Sequence, residues 1–234
     1  MASDDRPIDG SEWGAWVRAG AERWETVQRS WVIFRRNTDE LVEVVNRPRG
    51  DLALVLKLMG EDREATQPFW DELDQRLHNQ AASAVTLVDH TRRLINYYGA
   101  DAEAMIAEYG QRNQAVRQMR EASFLRDLRN YLLHSGVAPV LQTMKFQAGG
   151  ATATDIEHEI KLSAALLLRW DGWSAASRAY LTGFGDRDGP VLGRDIVAYA
   201  NAMAELYTWL LGQRLSTTAP TNIPDRFRMD PQTR

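Results

Sequence analysis

The chain of 234 residues has no cysteine, which excludes disulfide staples and thiolate metal sites. Long apolar runs are missing as well. The longest, Leu52 to Leu56 and Ala164 to Leu168, are five residues each, against the roughly 20 that a bilayer-spanning helix needs. No membrane segment is expected. Charge of one sign is not in excess either: a net charge of -4 excludes a polycation that holds nucleic acid over its whole surface, so any such contact must be local. The opening residues, Met1 to Asp5, are acidic and lack the basic-then-apolar pattern of a secretory signal. A cytoplasmic location is expected.

What is present is the balance of an ordinary globular protein, with 44% hydrophobic and 26% charged residues and enough chain to bury one sizeable core. Trp13, Trp16, Trp24, Val27, Trp31 and Phe34 trace one stripe of a long N-terminal helix, with Gly20 between Trp16 and Trp24 at a point where another element can approach closely. Asn37 followed by Glu40 resembles a capping box that starts a separate short helix through Leu41 and Val45. Asp51 caps another short helix, Leu52 to Met59. Pro68 fits a first helical turn, and Phe69, Trp70, Leu73, Leu77, Ala81, Ala84, Val88 and Ile95 keep helical spacing as far as Gly99. From an N-cap at Asp101, one helix is expected through Leu132, ended by Gly136 and Pro139 and paired antiparallel with its predecessor.

The pattern then alternates. Met144 and Phe146, then Ile156, His158, Ile160 and Leu162, flank Gly149-Gly150 and predict a small hairpin that leans on the helices. Leu166 to Trp173, Ala175 to Leu181 and Ile196 to Leu211 predict helices. The expected class is all-α, mostly helical: residues 1–64 form a tryptophan-rich extension packing on the core, residues 65–215 a helical domain with a hairpin near 142–162, and residues 216–234 a disordered tail.

The candidate chemistry lies just before Gly136. On a helical wheel Phe124, Leu125, Leu128, Tyr131 and Leu132 fall on one face and predict core. Arg126, Asp127, Arg129, Asn130 and His134 gather on the other, with apolar Leu133 among them. Guanidinium groups, an amide and an imidazole in one place bind a phosphate and move a proton. Arg129 and His134 are five residues apart and diverge by about 140 degrees, so one ideal helix does not aim both at one atom. The arginine curls round, the helix end distorts, or two copies of the helix share a site; the last also accounts for an exposed Leu133.

Arg129-Asn130-Tyr131-Leu132-Leu133-His134 resembles the motif of HEPN domains: Arg, a polar residue, three more residues, then His. Leu128 to Val140, LRNYLLHSGVAPV, is similar to the version in bacterial members with a hairpin after the motif, and the likeness extends over roughly residues 65–212. The tryptophan-rich helix lies outside it. The resemblance implies a helical bundle, a homodimer with paired motifs, no cofactor and no metal, and in many members endoribonuclease activity of the toxin or defence kind. It implies Arg129, His134 and Asn130 as catalytic, Arg126, Arg120 and Tyr131 as substrate-binding, and Leu133 as a dimer contact. RNA or nucleotide and an antitoxin or other protein are the implied partners. Gly136 stands where nucleotidyltransferase-paired members carry Tyr, so the modification-controlled kind is not implied. A noncatalytic HEPN-like module using the same face is the alternative, and a structural subunit docked through the tryptophan helix is a third reading.

Other residues read as structural. His90 beside Arg92 and Arg93 belongs to a solvated helix face, with a place on an RNA surface as the lesser alternative, His78 and Asp74 to a surface pair, and His158 to the ribbon. Gly183 to Gly193, GFGDRDGPVLG, lacks the basic residue and the preceding strand of a phosphate loop.

Overall fold

The computed structural model describes residues 9–146 and 156–214. It is mostly helical with one antiparallel two-stranded ribbon. Helix α1 (Gly10–Asn46) starts at Asp9, whose carboxylate accepts from the Ser11 and Glu12 amides. It does not break at Asn37. Thr38, Leu41, Val44 and Val45 prolong the buried stripe, the Asn37 amide donates to the Asn79 carbonyl of the neighbouring helix, and Glu40 pairs with Arg36 and Arg76. Side chains expected to cap a new helix are thus engaged sideways, and tertiary packing overrides a local start signal.

Helix α2 (Leu52–Met59) is capped by Asp51 as expected. Helix α3 (Arg63–Tyr98) starts earlier than Pro68 suggests, at an Asp62 cap, so Pro68 sits inside the helix and leaves the Glu64 carbonyl without its usual amide partner. The antiparallel companion of α3 is α1, not the helix that follows. Tyr98 meets Trp16, Gly20 and Trp24 at one end of this pair, and Arg47 meets Glu72 at the other. A Cβ on Gly20 would stand 2.5 Å from the Tyr98 hydroxyl, which is the close approach its position suggested.

The single helix expected from Asp101 to Leu132 is two. A 3-10 turn (Gly99–Ala102) leads into α4 (Glu103–Gln118), Met119 is extended (φ -65, ψ 134), and α5 (Arg120–Ser135) follows. The break lets α4 lie on α8 (Leu192–Gly212) while α5 turns inward to pack on α3 and α7 (Ala175–Thr182). Asp101 falls in the 3-10 turn and no side chain caps α4.

Strands β1 (Val140–Phe146) and β2 (Ile156–Leu162) pair with Gln142 opposite Ile160 and Met144 opposite His158. Gly149-Gly150 lies outside the described residues. His158, Ile160 and Leu162 face inward, and the loop after α7 adds hydrogen bonds along the end of β2, from Leu162 N to Pro190 O and from Ala164 N to Asp188 O. Helix α6 is only Ala164–Leu167; the expected run to Trp173 becomes turns, pinned by the Trp173 indole donating to Leu167 O at 2.6 Å. Helix α8 begins four residues before Ile196. One hydrophobic cluster runs from Trp16 to Leu210 and includes residues of α1, α3, α5 and α8. The segment 216–234 lies outside the described residues. No described helix is long and apolar enough to cross a membrane.

Candidate functional site

Helix α5 ends where Gly136 takes φ 96, a left-handed conformation that glycine adopts without a Cβ penalty. Just beyond it the Ala138 amide donates to Asp74 Oδ1 of α3 at 3.2 Å, tying the entrance of the ribbon to the bundle. The end of α5 is therefore held from both sides.

Around the helix, Phe124, Leu125, Leu128, Tyr131 and Leu132 are buried, as the wheel requires. Tyr131 is part of this packing: its ring stacks on Trp173 (centroids 5.7 Å) and meets Trp170 edge-on. Burial pushes its hydroxyl pKa up. It lies away from the exposed set to which the motif assigned it.

Asp127 also departs from its expected place. It is 6% exposed and accepts from the Ser177 hydroxyl at 2.6 Å, the Ser174 amide at 3.0 Å and Arg126 Nε at 3.2 Å. Burial pushes its carboxyl pKa up, but hydrogen bonds from Ser174, Ser177 and Arg126 outweigh that and leave it below the ordinary value. The reason is geometric: position 127 sits at the margin of the apolar arc, and α7 packs there with its capped N-terminus toward the carboxylate. Ser174 caps α7, and Asp127 serves that cap. Sequence reading missed this role; its signal was Asp127 lying three residues after Phe124 and four before Tyr131, on the buried side.

The remaining face is open. Arg126 and Arg120 are exposed, Arg120 lying 5.9 Å from the Tyr180 ring centroid. Arg129 and Asn130 are half-buried, joined by a bond from Arg129 Nη1 to Asn130 Oδ1 at 3.1 Å. His134 is exposed, and among the described residues neither it nor Arg129 has a carboxylate partner. Leu133 and Val137 beside it are 55% and 73% exposed. Val137 also borders a cleft of about 610 Å³ between α2, α3 and β1 that includes Met59, Trp70 and Gln142. This end of α5 thus offers a guanidinium, an amide and an imidazole within an apolar rim.

The other histidines are placed differently. His78 Nε2 is 3.8 Å from Asp74 Oδ2, and among the described residues no three or more His, Cys, Asp or Glu gather as metal ligands. His90 Nδ1 is 2.6 Å from Ser30 Oγ of α1. His158 is buried beneath the ribbon, with Nε2 3.1 Å from Gln142 Oε1, while the Gln142 amide donates to Leu58 O at 3.0 Å. Compared with known proteins, the chain matches no family model, no curated protein and no solved structure.

Proposed function

We propose that this protein is a HEPN-like, metal-independent endoribonuclease whose site forms where the α5 ends of two copies meet. The observation that carries the reading is the exposed end of α5, where among the described residues Arg129 and His134 have no carboxylate partner and stand beside exposed Leu133 and Val137. Unneutralised donors suit a phosphate, and the apolar rim suits a second surface.

In the proposed reaction the ribose 2'-hydroxyl oxygen attacks the adjacent phosphorus and the bond to the 5'-oxygen breaks. One neutral imidazole takes the hydroxyl proton, and one imidazolium gives a proton to the departing 5'-oxygen. Two copies supply two His134 side chains, one for each role. Arg129 stabilises the charge that builds on the phosphate oxygens, a task suited to a planar, permanently charged donor, and Asn130 orients Arg129 through the bond already present. DNA, which has no 2'-hydroxyl, is not cleaved.

The test is incubation of mixed tRNA and structured RNA with purified protein in EDTA, comparing wild type with Arg129→Ala and His134→Ala. Cleavage by wild type alone, leaving cyclic-phosphate ends, is the expected result. Equal behaviour of the three proteins sinks the enzymatic reading and leaves the noncatalytic module. One observation favours that second reading: Arg129 is already held by Asn130, so the same face works as a docking patch without chemistry.

A further inference from the structure

A second basic site lies away from α5, on the outer seam between α1 and α3. A cleft of about 500 Å³ there is lined by Arg23, Thr26, His90, Arg93, Asn96 and Tyr97. Two guanidinium groups, an imidazole, an amide and the hydroxyls of Thr26 and Tyr97 surround it, and among the described residues no carboxylate lines it. Of the nearby acidic groups, Asp89 pairs with Arg92 at 3.0 Å and Glu25 with Arg29 at 3.7 Å and Arg214 at 3.8 Å, while exposed Glu22, beside Arg23, does not line the cleft. On a protein of net charge -4, a cleft whose described lining carries positive charge and no carboxylate is the feature that needs a cause.

Arg23 is fixed without any help from an acid. Its guanidinium lies 4.0 Å from the Tyr97 ring centroid, and Nη1 donates to the Ala19 carbonyl at 2.8 Å. Tyr97 is itself anchored, its ring stacked on Trp16 at 6.0 Å and its hydroxyl donating to Trp16 O at 2.7 Å. An arginine ordered in this way has already lost its rotamer freedom, so an arriving anion meets a prepared donor. His90 is ordered from the other side: the Ser30 hydroxyl donates to Thr26 O at 2.8 Å, which leaves its oxygen to accept from His90 Nδ1, 2.6 Å away. The opposite edge of the imidazole is without a partner among the described residues. Arg93 is exposed and likewise has no hydrogen-bond or ion-pair partner among them.

We propose that this α1–α3 cleft binds the phosphate group of a nucleotide, either free or within an RNA strand. Arg23 is the fixed donor, Arg93 is the mobile arm that closes on the phosphate, and Asn96 and the free edge of His90 add hydrogen bonds. The volume falls within the roughly 300–1,000 Å³ of small-ligand clefts and exceeds what a bare phosphate fills. The proposal does not rest on the activity assigned to α5, because none of the lining residues belongs to that helix.

The experiment measures binding of two probes to the full chain at low salt: AMP by calorimetry, and a fluorescein-labelled 12-mer of uridylate by anisotropy. Wild type is compared with Arg93→Glu and Asn96→Asp, each placing a carboxylate at an exposed position of the cleft, with thermal melting as the check on folding. Expected is saturable binding of at least one probe, weakened about tenfold or more in both variants, with a shallower dependence on salt. AMP binding assigns the site to free nucleotide; binding of the 12-mer alone assigns it to a strand. Absence of binding by both probes at millimolar AMP and micromolar 12-mer, or unchanged affinity in the folded variants, overturns the proposal. Arg129→Ala with His134→Ala is expected to keep wild-type binding here while losing any cleavage, which separates the two claims.

Discussion

Asp127 and His134 lie on one helix, seven residues apart, and are treated in opposite ways. Asp127 is desolvated and receives three hydrogen bonds, two of them from the cap of α7. His134 stands in solvent at the helix end and has no hydrogen-bond partner among the described residues. The helical wheel puts both on one polar face. The contrast teaches that a charged residue earns a functional reading only after its structural use has been subtracted, because burying a charge without a partner costs far more than leaving it exposed in water.

The strongest way to break this contrast is to remove each group in turn. Asp127→Ala leaves the Ser174 amide and the Ser177 hydroxyl without their acceptor and uncaps the docking of α7. The expected loss of unfolding free energy is about 3 kcal/mol, read from urea denaturation. His134→Ala is expected to change the same quantity by less than about 0.5 kcal/mol. If the histidine variant loses as much stability as the aspartate variant, the end of α5 is structural and His134 is no freer than Asp127.

A smaller effect comes from a buried polar group that is not satisfied. Gln80 of α3 is 1% exposed, and neither atom of its amide has a hydrogen-bond partner among the described residues. It bears a desolvation cost that hydrogen bonds offset at Asp127. Gln80→Met keeps the volume and removes the unpaired amide, so the protein is expected to gain about 1 kcal/mol in the same denaturation measurement. A loss instead would mean that the amide has a structural use like that of Asp127.

Helix faces were legible in the sequence wherever an apolar stripe was long. The tryptophans of α1, the alternate residues of β2 and the core side of α5 follow directly from period and spacing. Breaks and starts were less legible, for a physical reason in each case. Asn37 and Glu40 have the chemistry of a cap, yet their partners Asn79 and Arg76 lie on another helix, about forty residues away in sequence. Met119 carries no breaker chemistry; the break follows from α4 and α5 packing on different neighbours. The candidate site was half legible. Arg129, Asn130, Leu133 and His134 stand on the accessible side and Tyr131 on the core side as the wheel places them, whereas Asp127, placed with the polar set, turns inward to α7, and the substrate-binding role that the resemblance implies for Tyr131 falls on a ring stacked against Trp173. The cleft at Arg23 and Arg93 could not be read in advance, since it depends on which helix pairs with α3.

The smallest expected effect sharpens the comparison in a third place. His158 is 3% exposed, and its Nδ1 has no partner among the described residues. Because the Gln142 amide nitrogen donates to Leu58 O, the Gln142 oxygen faces His158, so the ring carries its proton on Nε2. A second proton would sit on a buried nitrogen that has no acceptor. Burial, and then the positive charge of Arg49, hold the pKa of His158 below its ordinary value. The folded state therefore disfavours the protonated ring, while an unfolded histidine titrates near 6.5. Stability is full above that value and declines as pH falls below it toward the folded pKa, flattening beyond. Asp127 acts in a separate window: its contribution is present above the carboxylate range and is lost only as pH falls through its own lowered value. Urea midpoints measured at pH 7.5 and 5.5 should therefore drop in wild type and drop less in His158→Gln. Equal drops in the two proteins would mean that the acid-sensitive proton binds elsewhere.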